Sequence, residues 1–327
     1  MTLRQPPEWA RQDWLWIGFP HAADEWPDVL ADAQTEIAGF ANAVAQSGQQ
    51  VRLICRDAKN AAAARALCDP AVTIAEHVYG DIWLRDTGPL VVSDGARMQA
   101  RLFRFNGWGG KYVMPGDTEI GTALADEAGL EKTWGDWVLE GGAIDVDGTG
   151  LAVTTEQCLL NPNRNPHLTR QQIEDRLRRD LGIDRLLWLG DGLINDHTDG
   201  HVDNLARFVA PGRIAIPVAS GDDDPNAAIY ADAHARAAKF GLDIVPVASP
   251  GRVEIDDMVQ PASHMNFLIA SHVVIVPVYE TPFQQDALAS LQACFPGRKV
   301  IGLPATAVLI GGGSFHCASQ QMPAKAS

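Results

Sequence analysis

Short apolar runs recur along the whole chain and predict β-strands. They are rich in β-branched residues and bounded by Gly, Pro or Asp, which is typical of strands. The predicted strands are 14–19, 49–55, 88–93, 151–160, 213–219, 243–247, 272–279 and 298–304.

Longer segments between these runs have the apolar spacing of helices. Thr169 is predicted to cap the N-terminus of one helix, which ends near Gly182. The predicted helices are 25–48, 168–183, 224–242 and 284–297. Helices recur between pairs or triples of strands, and no linker or low-complexity block divides the chain. The pattern therefore favours one α/β domain over residues 1–327, built from several similar modules.

The composition and net charge of the chain limit the kinds of molecule that it is expected to bind. The chain is 46% hydrophobic and 20% charged, which is ordinary for a globular protein with a full core. Its formal net charge of −15 disfavours nucleic acid and anionic membranes, which both attract basic surfaces. An acidic protein can instead attract a small cationic ligand. The sequence allows a homo-oligomer but does not specify one.

Cysteine usage points to a reduced compartment. The number of cysteines is odd, their spacings are wide, and no C-x-x-C occurs, so neither a disulfide framework nor a zinc ribbon is expected. The first residues lack the apolar core of a signal peptide. The longest apolar stretch, 267–279, is too short to span a bilayer. A cytoplasmic protein is predicted. The cysteines are Cys55, Cys68, Cys158, Cys294 and Cys317.

The stretch "GGGSFHC" brings three glycines close to a thiol near the chain end. Glycines 311–313 allow a tight turn and a close approach of the backbone to a ligand. A single cysteine is more often a buried structural residue than a nucleophile. A catalytic role for Cys317 therefore depends on supporting groups elsewhere in the sequence.

The stretch "NDHTDGHVDN" supplies such groups. In a strand, His201 and Asp203 would project to the same side, so that an imidazole and a carboxylate face one pocket. A metal site centred on His197 and His201 is an alternative, although the H-x-H-x-D-H and H-E-x-x-H patterns are both absent. Helix capping is a further alternative for Asp196 and Asp199.

Two further carboxylates stand beside turn-forming residues. In "DIWLRDTGPL", Arg85 and Asp86 precede a Thr-Gly-Pro turn, and a buried Arg–Asp pair is the structural alternative to a functional role. In "VLEGGAIDVDG", Glu140 ends a strand before two glycines, where a plain loop carboxylate is the alternative.

Taken in order, these stretches resemble the motifs of the agmatine deiminase family. This family belongs with the Porphyromonas-type peptidylarginine deiminases to the guanidine-modifying enzymes, which include arginine deiminases. The resemblance covers nearly the whole chain. The stretches that carry it are "PPEWARQDWLWIGFPHAADEW", "DIWLRDTGP", "FNGWGGKY", "LEGGAIDVDG", "TDGHVDN" and "GGGSFHCASQQMP".

The resemblance implies a fold and a site. The implied fold is the pentein fold, a five-bladed α/β propeller of ββαβ modules around a pseudo-fivefold axis, whose last strand ends at a central funnel. Cys317 would be the nucleophile and His201 the acid/base, with Glu140 orienting or tuning His201. Asp86 and Asp203 would hold the guanidinium nitrogens. No metal or cofactor is required.

The implied reaction converts agmatine and water to N-carbamoylputrescine and ammonia, a hydrolysis of a linear amidine in polyamine biosynthesis. A guanidinium is planar and permanently charged, so two carboxylates suit its edges and leave its carbon open to a thiolate. The covalent intermediate would be a thiouronium on Cys317. The alternatives are another guanidine such as arginine, an amidinotransferase, a metal-dependent hydrolase, and a non-catalytic binding propeller.

Beyond the guanidinium, the pocket should accept the ammonium and the methylene chain of agmatine. Its acidic candidates are Asp81, Asp196 and Asp199, and its apolar walls are Trp83 and Trp108.

Three departures from the family motifs bear on the choice of guanidine. His197 stands where the family usually has an acidic residue, Ser314 and Phe315 replace Asn and Ile before the cysteine, and "WIGFP" replaces a Leu-Ala-Trp-Pro opening. These residues are expected to line the pocket beyond the guanidinium, with Gly313 beside them.

Overall fold

The computed structural model describes residues 3–325. The strands are β1 (Gln12–Gly18), β2 (Gln50–Cys55), β3 (Val72–Glu76), β4 (Leu90–Ser93), β5 (Met98–Arg104), β6 (Glu131–Val138), β7 (Ile144–Val146), β8 (Leu151–Thr155), β9 (Arg185–Leu189), β10 (Arg207–Ala210), β11 (Arg213–Val218), β12 (Asp243–Ala248), β13 (Glu254–Ile255), β14 (Met258–Val259), β15 (Leu268–Ile269), β16 (Val273–Val278), β17 (Lys299–Pro304) and β18 (Ser319–Pro323). The helices are α1 (Leu30–Gln46), α2 (Ala58–Leu67), α3 (Leu84–Thr87), α4 (Gly107–Gly110), α5 (Asp117–Glu127), α6 (Glu156–Leu159), α7 (Arg170–Leu181), α8 (Ala227–Phe240), α9 (Gln284–Cys294) and α10 (Thr306–Ile310).

One pairing scheme recurs in the sheets. In β4-β5-β6, β7-β8-β9, β10-β11-β12 and β15-β16-β17, the first two strands are antiparallel and the last two are parallel. Each parallel pair is joined through a helix, because parallel neighbours need a crossover connection. The mixed α/β architecture and its repetition of similar modules agree with the sequence pattern.

A further sheet, β18-β1-β2-β3, joins the two ends of the chain. β18 pairs antiparallel with β1, which brings Met322 opposite Trp14, and β1 is parallel to β2. Backbone hydrogen bonds extend this junction beyond the strands: Gly18 N donates to Ala318 O at 2.9 Å, and Arg85 N donates to Cys317 O at 3.0 Å. The segment before β18 is therefore held on two sides, although it lies close to the chain end.

The structure confirms the predicted ends of one helix and shifts the ends of two other predicted elements. Thr169 caps α7 in a capping box with Gln172, and Gly182 ends this helix in the left-handed conformation, with φ of 69°. The helix predicted from residue 25 begins only at Leu30. The strand predicted over 151–160 ends at Thr155, because the Thr155 hydroxyl caps the short helix α6.

The stretch that carries His201 is not a strand, contrary to the sequence expectation. Positive φ angles at Asn195, Asp199 and Gly200 break any extended conformation, and His201 leads into a single helical turn over Val202–Asn204.

No helix within residues 3–325 has the length and apolar character needed to cross a bilayer.

Candidate active site

A cavity of about 300 Å³ opens beside the junction of the chain ends. Its lining residues come from several modules, because loops at one end of the sheets converge there. The lining residues are Asp24, Glu25, Pro27, Asp81, Trp83, Asp86, Trp108, Tyr112, His197, Thr198, Ile310, Gly311, Gly312, Gly313 and Cys317.

Cys317 lies at the inner end of this cavity and is almost fully buried. Its backbone N–H donates to the Asn266 side-chain oxygen at 3.2 Å, and the Asn266 amide nitrogen lies 3.1 Å from the thiol sulfur. Asp203 Oδ2 is 3.5 Å from the same sulfur. Burial, and then the charges of Asp203 and Asp86, raise the pKa of Cys317 well above its usual range. The unliganded site therefore favours the thiol over the thiolate.

Asp86 is presented by the single-turn helix α3. Its Oδ1 accepts a hydrogen bond from Gly142 N at 2.9 Å, and its Oδ2 accepts one from Trp108 Nε1–H at 2.9 Å. Burial raises the pKa of Asp86, and the neighbouring Asp203 adds to this, whereas His201 opposes it. The Arg85–Asp86 pair, the structural alternative to a functional role, does not form, because Arg85 extends instead toward the last strand.

His201 is completely buried beside Asp86, with its Nδ1 3.7 Å from Asp86 Oδ1. Burial alone lowers the pKa of His201, but Asp86, Cys158 and Glu140 outweigh it and raise the pKa well above the usual range. The site therefore holds His201 as an imidazolium, which is the form that can donate a proton.

Gly142 marks the point where the candidate groups meet. A Cβ on this residue would lie 2.6 Å from His201 Nδ1, 2.9 Å from Asp86 Oδ1 and 3.0 Å from Asp203 Oδ2. His201 and Asp203 thus converge as expected, although a turn rather than a strand brings them together. No side chain fits at position 142. The Gly-Gly pair after Glu140 is therefore needed to let His201, Asp86 and Asp203 come together.

Glu140 is fully buried and is held by Arg164. Arg164 was not among the site residues predicted from the sequence. Arg164 Nε donates to Glu140 Oε1 at 2.6 Å, and its other nitrogens donate to Asp199 Oδ2 at 2.6 Å and to the Thr198 carbonyl at 2.8 Å. Among the described residues, Glu140 Oε2 and both ring nitrogens of His201 have no hydrogen-bond partner.

Within the described residues, the structure does not group the two histidines of the alternative metal site, His197 and His201, with a third metal-binding side chain. Donor atoms of Glu140, Cys158 and His201 lie within 4.8 Å of one another, and this is the one such group found in residues 3–325. His197 is not part of it. A metal site built on His197 and His201 is therefore wrong.

The outer end of the cavity is more open. Trp83, Trp108 and Asp81 line the cavity as expected but are at most 5% exposed, and burial raises the pKa of Asp81 well above its usual range. The turn between β1 and α1 adds exposed Asp24 and half-buried Glu25, which the sequence reading missed.

His197 and the glycine turn complete this outer end. His197 is exposed, and its ring lies 5.9 Å from that of Tyr112. Gly312 has φ of 101°, and a Cβ there would lie 2.9 Å from His197 Nδ1. A Cβ on Gly313 would lie 2.8 Å from the Trp83 ring, so the glycines permit the close approach that their sequence indicated.

Two acidic candidates lie outside the cavity lining. Asp196 accepts hydrogen bonds from Thr198 N at 2.8 Å and from the Asn204 side chain at 3.1 Å. Asp199 is paired with Lys111 at 2.8 Å, as well as with Arg164. Asp196 is engaged within its own loop, and Asp199 is engaged by residues of two other segments, so their role in the substrate pocket stays a prediction.

The departures before the cysteine are also placed differently from the expectation. Phe315 is fully buried and packs on Phe40 with ring centroids 4.8 Å apart, and Ser314 is buried outside the cavity lining. In the opening stretch, Phe19 is likewise a core residue. Of the substituted positions, His197 is the one that reaches the cavity.

This geometry defines a cysteine-centred site for a small cation within a mixed α/β fold. The chain belongs to the Porphyromonas-type peptidyl-arginine deiminase family, whose model matches residues 4–323. The agmatine deiminase of Stutzerimonas stutzeri is 38% identical over 352 aligned positions, which cover 98% of this chain and 95% of that protein. The family resemblance inferred from the motifs is confirmed.

Solved structures agree with this membership. The structure of Enterococcus faecalis agmatine deiminase gives a TM-score of 0.94 at 30% identity, covering 99% of this chain and 96% of that one. A substrate-bound C. jejuni agmatine deiminase with a cysteine replaced by serine gives 0.93 at 29% identity, covering 99% and 97%.

Proposed function

We propose that the protein is an agmatine deiminase, which hydrolyses agmatine to N-carbamoylputrescine and ammonia. The observation that carries this proposal is the cavity itself: a cysteine at the inner end and an acidic outer end. Among the described residues that line it, none is Lys or Arg. A guanidine with a distal ammonium fits this charge pattern, whereas the carboxylate of arginine would meet Asp24 and Glu25.

Substrate binding supplies the missing positive charge. The guanidinium lies between Asp86 and Asp203 and donates N–H groups to both carboxylates. Because those carboxylates raise the pKa of the Cys317 thiol in the free site, their neutralisation by the cation lowers it again. The substrate thus promotes formation of the thiolate that attacks it.

The chemical steps follow from these protonation states. The Cys317 thiol releases its proton to solvent, and the thiolate attacks the guanidinium carbon and forms a tetrahedral adduct. His201 donates a proton to one amino group, ammonia leaves, and a thiouronium remains on Cys317. Neutral His201 then removes one proton from water, and the hydroxide attacks the same carbon. The second tetrahedral adduct expels the thiolate as the urea carbonyl forms, and its hydroxyl proton passes to the released ammonia as ammonium. Glu140, fixed by Arg164, supplies a negative charge that favours the imidazolium form of His201.

Relatives support this assignment. Proteins aligned over nearly the full chain are named agmatine deiminases, and one such structure holds its substrate after replacement of a cysteine by serine. That is the behaviour expected when the thiol performs the chemistry and other groups bind the substrate.

The proposed architecture is a single catalytic domain over residues 1–327, arranged as a five-bladed α/β propeller. Five sheets share the antiparallel-then-parallel scheme across the described residues, and the pairing of β18 with β1 closes the chain upon itself. We also place the enzyme in the cytoplasm, because its five cysteines are free and the nucleophile needs a reduced thiol.

The testing experiment is ammonia release by the purified protein after treatment with EDTA. Agmatine, arginine, 4-guanidinobutanoate and butylguanidine are supplied in parallel, so that the distal group is cationic, zwitterionic, anionic or absent. The proposal predicts the highest kcat/KM for agmatine. Preference for either carboxylate-bearing guanidine would instead make His197 the anion partner, and loss of activity with EDTA would favour a metal hydrolase.

An amidinotransferase would transfer the amidino group to an amine rather than to water. Adding glycine or ornithine with agmatine distinguishes this alternative. The proposal predicts that ammonia and carbamoylputrescine form in equal amounts, with no new guanidine compound detected by mass spectrometry.

A further inference from the structure

A line of buried charged groups runs from the candidate guanidinium site to the start of the chain. His316 Nδ1 lies 2.8 Å from Asp203 Oδ2, and His316 Nε2 lies 2.9 Å from Glu8 Oε2. The exposed fractions of these three side chains are at most 5%. Glu8 and His316 lie within the first and last motif stretches, but neither is among the residues that the family resemblance places in the reaction.

The geometry of His316 indicates its protonation state. Each ring nitrogen faces a carboxylate oxygen at hydrogen-bond distance, and an ionised carboxylate only accepts. A ring that donates from both nitrogens is an imidazolium. Burial raises the pKa of Glu8, but Arg207 and His316 outweigh it and bring the pKa far below the usual range. Glu8 is therefore an ionised partner for the ring.

Glu8 is itself held rigidly. Its Oε1 accepts a hydrogen bond from Ile269 N at 2.5 Å, and Arg207 donates to its Oε2. Arg207 also donates to Asp145 Oδ1 at 3.1 Å and to the Phe267 carbonyl at 2.7 Å. These contacts fix the Glu8 end of the line of charges. The packed core therefore determines the position of His316 and, through it, that of Asp203.

The two candidate guanidinium carboxylates consequently differ. Burial raises the pKa of Asp203 too, but the hydrogen bond and charge of His316 outweigh it and leave the pKa below its usual value. Asp86 accepts hydrogen bonds only from the neutral donors of Gly142 and Trp108, and its pKa is raised. Asp203 is therefore hydrogen-bonded to a charged ring, whereas His201 Nδ1 lies 3.7 Å from Asp86 Oδ1, beyond hydrogen-bond distance.

We propose that His316, anchored by Glu8, is a positioning residue that keeps Asp203 ionised and oriented to receive the guanidinium before substrate arrives. The inference rests on the proposed function. Other charged or titratable groups also face this line. Asp203 is near Asp86, His201, Arg207 and Cys317, and the Glu8 end is near Arg85 and Asp145.

The test compares pH profiles of kcat/KM for agmatine. His316→Asn keeps a donor near the position of Nδ1 but removes the positive charge, so burial should raise the pKa of Asp203. The ratio of kcat/KM, variant to wild type, should then rise with pH. At acidic pH the variant should lose about tenfold for each unit of that pKa shift, mainly through KM. Glu8→Gln, which preserves shape, should give a smaller change in the same direction.

The matched control is His234→Asn, which removes a half-buried imidazole that bonds the Pro217 carbonyl and contacts no carboxylate of the site. Its ratio to wild type should stay near one at every pH. A ratio independent of pH for both His316→Asn and Glu8→Gln would overturn the proposal, because loss of packing alone acts equally at all pH values. Inactivity of the wild type on agmatine would instead count against the proposed function.

A second measurement does not depend on turnover. Nitrogen-15 NMR of the histidine rings at neutral pH should show, besides the imidazolium expected for His201, a second imidazolium signal that is absent from His316→Asn. If that signal belongs to a ring with one protonated nitrogen, the proposed line of charges is wrong even where agmatine is hydrolysed.

Discussion

The two ends of the cavity are built differently. At the inner end, Cys317, His201 and Asp203 are at most 4% exposed, and each has neighbours that fix its position. At the outer end, exposed Asp24 and His197 belong to turns and loops. The comparison indicates that the reaction depends on groups held by the packed core, whereas the choice of guanidine depends on side chains that solvent screens.

The largest expected effect comes from the inner end. Cys317→Ser should lower kcat by about 10⁴-fold or more, because an alcohol provides no usable anion at neutral pH. The melting temperature should stay close to that of the wild type, and agmatine should still bind by calorimetry. Ammonia release near the wild-type rate would remove the covalent mechanism.

Asp86→Asn should have the next largest effect. The change removes a charge from the guanidinium site and puts an amide against the donors of Gly142 and Trp108. A loss of roughly 2–5 kcal/mol in transition-state binding is expected, measured as kcat/KM for agmatine. The outer-end control is Asp24→Asn, which removes an exposed carboxylate and should cost clearly less. Equal losses for both variants would contradict the distinction between the two ends.

A substitution at Asp117 tests how the cavity wall is stabilised, without changing a residue that takes part in the reaction. Its Oδ1 accepts from Gly80 N at 2.8 Å and from Asp81 N at 2.9 Å, and burial raises its pKa to about 6. The folded state therefore favours neutral Asp117, and stability falls as pH rises from the unfolded pKa through that value. Asp117→Asn should stabilise the protein by about 1–2 kcal/mol at neutral pH, with little gain near pH ~4.

Denaturant unfolding at the two pH values measures this effect. The kcat/KM for agmatine should change little, because Asp117 does not line the active-site cavity. Destabilisation at neutral pH would show that the ionised carboxylate is needed to hold Gly80 and Asp81.

Glu25→Gln should give the smallest effect, confined to specificity. An exposed or half-buried carboxylate near a cation contributes about 0.2–1 kcal/mol. The KM for agmatine should rise a few-fold with kcat unchanged, and butylguanidine, which lacks the ammonium, should be unaffected. An equal loss for both substrates would mean that Glu25 acts on the cavity shape rather than on the distal charge.

The inner end was the part most accessible from sequence. Cys317, His201, Asp86, Asp203 and Glu140 sit in compact motifs, where glycines and turn residues signal a close backbone approach. Strands with β-branched residues were found in the same way. β6 was missed because charged residues interrupt its sequence, "EKTWGDWV", and its pairing with β5 stabilises it from outside the segment.

Residues that act through distant contacts could not be found in that way. Arg164 reaches Glu140 across 24 positions, and Glu8 reaches His316 across 308. The choice between Asp196 and Glu25 for the outer end is likewise set by tertiary folding, because it depends on which side chain the loop's own hydrogen bonds have already engaged. The local sequence contains no information about these long-range contacts or about which carboxylate lines the cavity.

The most direct test of the central claim is intact-protein mass spectrometry of samples quenched with acid during agmatine turnover. The mechanism predicts a species heavier by the mass of agmatine minus ammonia, and peptide mapping should assign the increase to Cys317. The species should be absent from Cys317→Ser. An adduct on another residue, or continued turnover by Cys317→Ser, would contradict the account.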